Sequence, residues 1–139
     1  MLPFLIDMNE LFEQFVAEWL RAHMPDGYSL QVQSRFVISG NYNLQFVVDL
    51  VLAEVESGKV VCVLDTKYKR EQTPASSDIE QVIAYAEAKG ADQAILVYPI
   101  TMSESVDSVI GRIRVRSLTF SLDSDIEAAG KQFLDGIFS

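Results

Sequence analysis

Positive charge is scarce in this sequence. Eleven Lys and Arg stand against 20 Asp and Glu in 139 residues, a formal net charge of −9. Such a chain lacks the whole-surface attraction to phosphate that drives generic polyanion binding. The deficit is also uneven, since residues 1–111 carry 7 basic and 16 acidic side chains while residues 112–139 carry 4 of each. Cysteine is nearly absent. The lone Cys62 excludes an intramolecular disulfide and any cysteine-rich zinc site, and it fits a reduced, cytoplasmic compartment. The single histidine, His23, is isolated near a predicted helix end. No apolar run approaches the ~18 residues of a membrane span, because Asp49 interrupts the best candidate. The opening MLPFLIDMNE has no basic stretch and reaches an acid by Asp7, unlike a signal peptide. Neither repeats nor low-complexity tracts occur. What remains is 49% hydrophobic, enough for a real core, at a length that suits one domain.

Asp7 is placed to cap a first helix with Glu10 as its capping-box partner and Ile6 and Leu11 as a hydrophobic staple. Met8, Leu11, Phe12, Phe15, Val16, Trp19 and Leu20 then follow helical spacing and form one apolar stripe. The helix fades at Met24-Pro25. Strands are predicted over Leu30 to Ile38, closed by Ser39-Gly40-Asn41, over Leu44 to Val55, and, after a Ser57-Gly58 turn, over Lys59 to Lys69. The second and third are apolar on both faces, the mark of covered central strands. A polar loop, Glu71 to Ser77, leads into a second helix with a Ser77–Glu80 capping box and Gly90 at its C-terminal cap. Ala94 to Tyr98 reads as a short buried strand. A last strand is expected over Val109 to Leu122, with a bulge near Ser117, because Arg112, Arg114 and Arg116 share parity with Leu118 and Phe120. Asp123 or Ser124 opens a terminal amphipathic helix through Ile126, Ala129, Phe133 and Ile137. The order is αβββαβ followed by βα, an α/β sandwich around a mixed sheet.

Two acids inside these apolar strands need an explanation. Asp49 lies between Val48 and Leu50, and Asp65 follows Val63-Leu64. A buried carboxylate is costly unless it is paired or bound to metal. Asp65 and Lys67 are two apart and project to the same face. A hairpin through Ser57-Gly58 brings Asp49 near Asp65 across the ladder. Two carboxylates within about 4 Å repel by roughly 4 kcal/mol at an effective dielectric of 20, and one lysine compensates only in part. An oxygen-preferring cation, Mg²⁺ or its substitute Mn²⁺, resolves the conflict. Glu13, at the edge of the first helix's apolar stripe, offers another oxygen. The purely structural alternative is an Asp65–Lys67 pair at a strand end, with Asp49 merely near a barrel or sheet rim.

The layout resembles the PD-(D/E)xK nuclease superfamily, with its restriction-endonuclease-like fold. Within it the chain resembles the McrC-like family, the nuclease component of the McrBC modified-cytosine restriction system. The resemblance rests on FLIDMNELFEQFV (4–16), VVDLVL (47–52), VLDTKYK (63–69), DIEQVIAYAEAKGADQAILVYP (78–99) and RVRSLTFSL (114–122). It implies a restriction-endonuclease-like α/β/α sandwich and a Mg²⁺-dependent endodeoxyribonuclease. Asp49 and Asp65 would be metal ligands, Lys67 the catalytic lysine and Glu13 an auxiliary ligand. Gln81 and Tyr85 would match the Q-x-x-x-Y that orients the site or the DNA backbone. These two are also four apart, sharing one helix face away from the Ile79, Val82, Ile83 and Ala86 stripe, a pattern that an ordinary solvated face shows equally.

Lys69 and Arg70, at the exit of the third strand, are further candidates for contact with DNA. Arg112, Arg114 and Arg116 either follow a phosphate backbone or guard an edge strand. Val48 replaces the proline often found before the first aspartate. The resemblance begins where the nuclease part of the McrC-like family begins, so the region that engages a McrB-like GTPase is expected to be missing. Two other readings stay open: another PD-(D/E)xK nuclease of repair or recombination, and a non-catalytic interaction module of the same fold. The −9 charge adds that the domain is equipped to cut DNA but needs a partner or a further domain to capture it.

Overall fold

A mixed six-stranded sheet with helices on both faces is built from the described parts of the chain. The computed structural model describes residues 7–37, 45–69, 74–123 and 125–139. Helix α1 (Met8–His23) leads into β1 (Tyr28–Val37), β2 (Gln45–Glu54) and β3 (Val60–Thr66). Helix α2 (Ser76–Lys89) precedes β4 (Gln93–Tyr98), and β5 (Asp107–Ile110), β6 (Ile113–Thr119) and α3 (Ile126–Ile137) complete the order. The strands lie side by side as β1-β2-β3-β4-β6-β5. Antiparallel pairing joins β1 to β2, β2 to β3 and β5 to β6, whereas β3–β4 and β4–β6 are parallel.

Local chemistry accounts for the helix ends. Asp7 Oδ1 accepts the N–H groups of Asn9 and Glu10 at 3.0 and 3.2 Å, capping α1 as its spacing predicts. Met24, the residue before Pro25, leaves the helix in an extended conformation. Ile6, Arg70 and the Ser39-Gly40-Asn41 turn lie outside the described residues. The expected Ser77–Glu80 box does not form, because α2 begins at Ser76 with Ala75 as its N-cap and no side-chain cap. Gly90 closes α2 at φ +69°, as a left-handed cap requires. The cap of α3 is Asp125, which accepts the Glu127 N–H at 3.0 Å, in place of the expected Asp123 or Ser124.

Strands β2, β3 and β4 are covered on both faces. On one side Phe12, Val16, Trp19 and Leu20 of α1 and Phe133 and Ile137 of α3 pack on Leu50, Leu52, Leu64, Ile95 and Val97. On the other, Val82 and Ala86 of α2 pack on Val63, Ala94, Leu96, Ile113 and Val115. Each fully buried aliphatic or aromatic side chain contributes about 1.5–3 kcal/mol, so this double layer places the sheet's centre at β3 and β4. Phe120 joins both helices of the first layer, meeting Phe15, Trp19 and Phe133 with ring centroids 5.2–5.3 Å apart.

The C-terminal part corrects the sequence expectation. The single strand over Val109 to Leu122 is a hairpin: Ile110 pairs with Ile113 across a turn in which Gly111 takes φ +65°. No bulge interrupts β6, whose register with β4 runs unbroken from Arg114 to Thr119. The parity conflict is resolved by hydrogen bonding. Arg116 is 3% exposed and donates to the carbonyls of Gly136 and Ile137 at the end of α3, and to Gln93 Oε1. Arg114 binds both carboxylate oxygens of Asp107 at 3.0 Å, and Arg112 lies in the turn beside Glu87 and Asp92. The three arginines form neither a phosphate-facing row nor an edge guard. Two of them sit on an interior strand, and Arg116 satisfies the last turn of a helix.

Gly130 of α3 crosses α1 at Trp19, and a Cβ there would be driven into the indole ring. Alanine normally gains up to about 1 kcal/mol over glycine within a helix. Here overpacking dominates, and Gly130→Ala is expected to lower stability by about 1–3 kcal/mol in urea unfolding. A more stable Gly130→Ala variant would show that this crossing is not tightly packed.

Candidate functional site

The register of β2 on β3 pairs Leu50 with Leu64, and one step further along each strand stand Asp49 and Asp65. Beyond this point β3 ends, and the first turns of α1 and α2 rise on either side of the sheet. The opening between them is a cleft of about 460 Å³, lined by Asn9, Glu13, Asp49, Asp65, Thr66, Lys67, Tyr68, Lys69, Asp78, Gln81 and Tyr85. A separate cavity of about 380 Å³ against α3 has no titratable side chain in its lining. The cleft brings the two strand aspartates together with acids and lysines from α1, α2 and the end of β3.

Asp65 is 3% exposed, and its Oδ2 has no hydrogen-bond partner. Lys67 Nζ lies 3.2 Å from that oxygen, an ion pair that does not meet hydrogen-bond geometry. The same ammonium donates to Gln81 Oε1 at 3.0 Å, so α2 helps to hold it. Asp49 Oδ2 accepts both the backbone N–H of Thr66 at 3.0 Å and its hydroxyl at 3.2 Å. Tyr68 N–H donates to Asn9 Oδ1 at 3.2 Å, tying the exit of β3 to α1. Glu13, half-buried on α1, accepts from Gln33 Nε2 at 3.1 Å. Lys69 pairs with Asp78 at 2.5 Å.

Burial is the main reason the Asp65 carboxyl is pushed up to about 8. The facing Asp49 carboxyl raises it further, and Lys67 pulls in the opposite direction. Glu13 is raised as well, by burial first and then by the charge of Asp49, with the Gln33 amide opposing. Burial likewise raises Tyr85, followed by the charges of Asp65 and Asp49.

The structure thus brings Glu13, Asp49, Asp65, Lys67, Lys69, Gln81 and Tyr85 to one cleft, and Arg70 falls outside the described residues. Tyr85 departs from its expected setting. It is 6% exposed and packs with Val82 and Ala86 in the α2 core, so it is not on a solvated face. Among the described residues, no three or more His, Cys, Asp or Glu side chains come together closely enough to hold a metal ion. Glu13 is accordingly not drawn into one group with the two aspartates. Sequence reasoning missed Asn9, Gln33, Thr66 and Asp78. Asn9 had a legible signal, since it stands four residues before Glu13 on the same helix face. Thr66 is the middle residue of the D-x-K, and Gln33 and Asp78 gave no local sign.

With this geometry in view, comparison with known proteins places the chain. The sequence profile described as "McrBC 5-methylcytosine restriction system component" matches residues 1–99, and the chain belongs to that family. Curated proteins give no match. Among solved structures, the fold is similar to a chain of the refined half-complex from a tetradecameric assembly of Thermococcus gammatolerans McrB AAA+ hexamers with bound McrC. The TM-score is 0.71 at 21% identity, over 96% of this chain and 34% of that one. The chain therefore spans about a third of the length of that relative, and the likeness is one of fold. Among the described residues no helix is long and apolar enough to cross a membrane.

The raised Asp65 carboxyl has a definite consequence for the metal-free protein. A carboxyl whose folded value exceeds its unfolded value of about 3.9 contributes stability below about pH 4, and that stability is lost as pH rises through about 8. In EDTA, Asp65→Asn is expected to unfold at higher urea than the parent at pH 8, with the difference vanishing near pH 4. Parallel stability profiles for the two proteins would overturn this assignment.

Proposed function

We propose that the cleft is the phosphodiester-cleaving site of a McrBC restriction component with a PD-(D/E)xK, restriction-endonuclease-like fold. The observation that carries this reading is the buried Oδ2 of Asp65, which accepts no hydrogen bond and is met only by the ion-paired Lys67 Nζ at 3.2 Å, beside Asp49. A hard oxygen that accepts no hydrogen bond, next to a second carboxylate, suits Mg²⁺ or Mn²⁺. Mg²⁺ commonly binds one or two carboxylates, retains several waters and completes its shell with substrate phosphate. Asp49 and Asp65 would hold the ion, with Glu13 as an auxiliary oxygen. The cation would supply charge stabilisation at the scissile phosphate and acidify the attacking water.

The chain's own residues do the rest. Thr66 holds the Asp49 carboxylate in place through two donors. Gln81 accepts from Lys67 Nζ and keeps the ammonium over the cleft, where it orients water and stabilises charge growing on the phosphorus. Tyr85 lines the cleft with Gln81, and Lys69 is the described candidate for contact with the DNA backbone; Arg70, next to it in sequence, is the other. The net charge of −9 leaves DNA capture to a partner. The McrB AAA+ hexamers in the similar structure suggest a McrB-type GTPase for that role.

One observation favours a second reading. The absence, among the described residues, of a three-acid group that could hold metal suits a non-catalytic interaction module of the same fold within a McrB-type assembly. Lys67→Ala separates the two. A nuclease is expected to lose Mg²⁺-dependent cleavage of plasmid DNA by roughly 10²-fold or more, measured with and without a McrB-type partner. Its circular dichroism is expected to stay unchanged, and its stabilisation by Mn²⁺ to persist. A parent protein that neither binds Mn²⁺ nor cuts DNA under either condition supports the module.

A further inference from the structure

Gln33 is the only non-glycine residue with positive φ among those described, at φ +51°. Glycine and asparagine adopt this conformation readily; glutamine does not. The residue is exposed, so no packing of its side chain compensates for the strain. It also interrupts a ladder. Val32 pairs with Leu50 and Ser34 with Val48 in one unshifted register, while the intervening positions, Gln33 and Asp49, are not paired. The distortion in β1 therefore stands directly opposite the first aspartate of the cleft. From that position Gln33 Nε2 donates to Glu13 Oε1 across 20 residues of sequence. Backbone strain that persists at a site normally has a compensating role there.

We infer that Gln33 is a positioning residue for Glu13: its left-handed backbone carries the side-chain amide to the Glu13 carboxylate and holds it at the cleft beside Asp49. The hydrogen bond limits rotation of the Glu13 side chain and keeps its carboxylate turned to the cleft, as outer-shell donors do for metal-ligating carboxylates. The inference rests on the metal-binding reading of the cleft and adds a residue from outside the D-x-K strand.

The test measures the thermal midpoint of the 139-residue protein in EDTA and its rise on adding MnCl₂, for the parent, Gln33→Gly, Glu13→Gln and the double variant. Glycine relaxes the backbone and removes the amide. The expected result is a Gln33→Gly midpoint in EDTA equal to or above the parent's, together with a Mn²⁺-induced rise reduced to that of Glu13→Gln. The double variant should show no further reduction. Gln33→Asn, which tolerates left-handed backbone but is one methylene too short, should lose the Mn²⁺ response in the same way. A parent-like Mn²⁺ rise in Gln33→Gly overturns the role of Gln33 alone, as does a larger rise. A lowered midpoint in EDTA with additive losses in the double variant also overturns it, since that is the behaviour of a structural residue. If the parent itself shows no Mn²⁺ rise, the metal-binding reading fails and this inference fails with it.

Discussion

Asp65 is buried at the end of a central strand and faces a second acid, and much of the surrounding structure answers that one electrostatic difficulty. Burial alone penalises an ionised carboxyl, and the nearby Asp49 adds to the penalty. Thr66 draws one oxygen of Asp49 into two hydrogen bonds. Lys67 comes within 3.2 Å of Asp65 and is steadied by Gln81 from the opposite helix. The site depends on β3 lying between an antiparallel neighbour that carries Asp49 and a parallel neighbour reached through α2. That mixed topology is what puts both acids, the lysine and the Gln81 face of α2 around one opening.

Much of this was legible before any coordinates. The Ser57-Gly58 turn between two doubly apolar strands was enough to set Asp49 across from Asp65. Spacing of four put Gln81 and Tyr85 on one face of α2. The contacts that escaped are those that local pattern does not encode. Asn9 meets Tyr68 across 59 residues and Gln33 meets Glu13 across 20, and nothing in β-propensity marks Gln33 for a left-handed backbone. The sequence pattern misplaces Tyr85 because the stripe on α2 is wider than the strict spacing of Ile79, Val82, Ile83 and Ala86. The β5–β6 hairpin reads as one strand in the sequence because its two-residue turn carries a single glycine. The arginine parity conflict suggested a bulge, since sequence alone does not show that a helix end waits to accept the guanidinium groups.

The basic side chains tell a related story about charge. Arg112, Arg114 and Arg116 are engaged with Glu87, Asp92, Asp107 and the end of α3. Lys67 and Lys69 at the cleft each face an aspartate. Among the described residues these cations are engaged close at hand, so long-range attraction to a polyanion is left to a net charge of −9, which opposes it.

Helix α1 is anchored unevenly. Its second half is wedged against α3: Gly130 leaves room for the Trp19 ring, His23 stacks on that ring at 4.0 Å, and His23 Nε2 stands 3.7 Å from Glu127. Its first half bears Asn9 and Glu13 over the cleft, with Leu11 49% exposed beside them. At 1.5 Å rise per residue, the ten residues from Asn9 to Trp19 make an arm of about 15 Å. The glycine crossing thus sets the axis of α1, and the arm carries that setting to Asn9 and Glu13 at the mouth of the cleft.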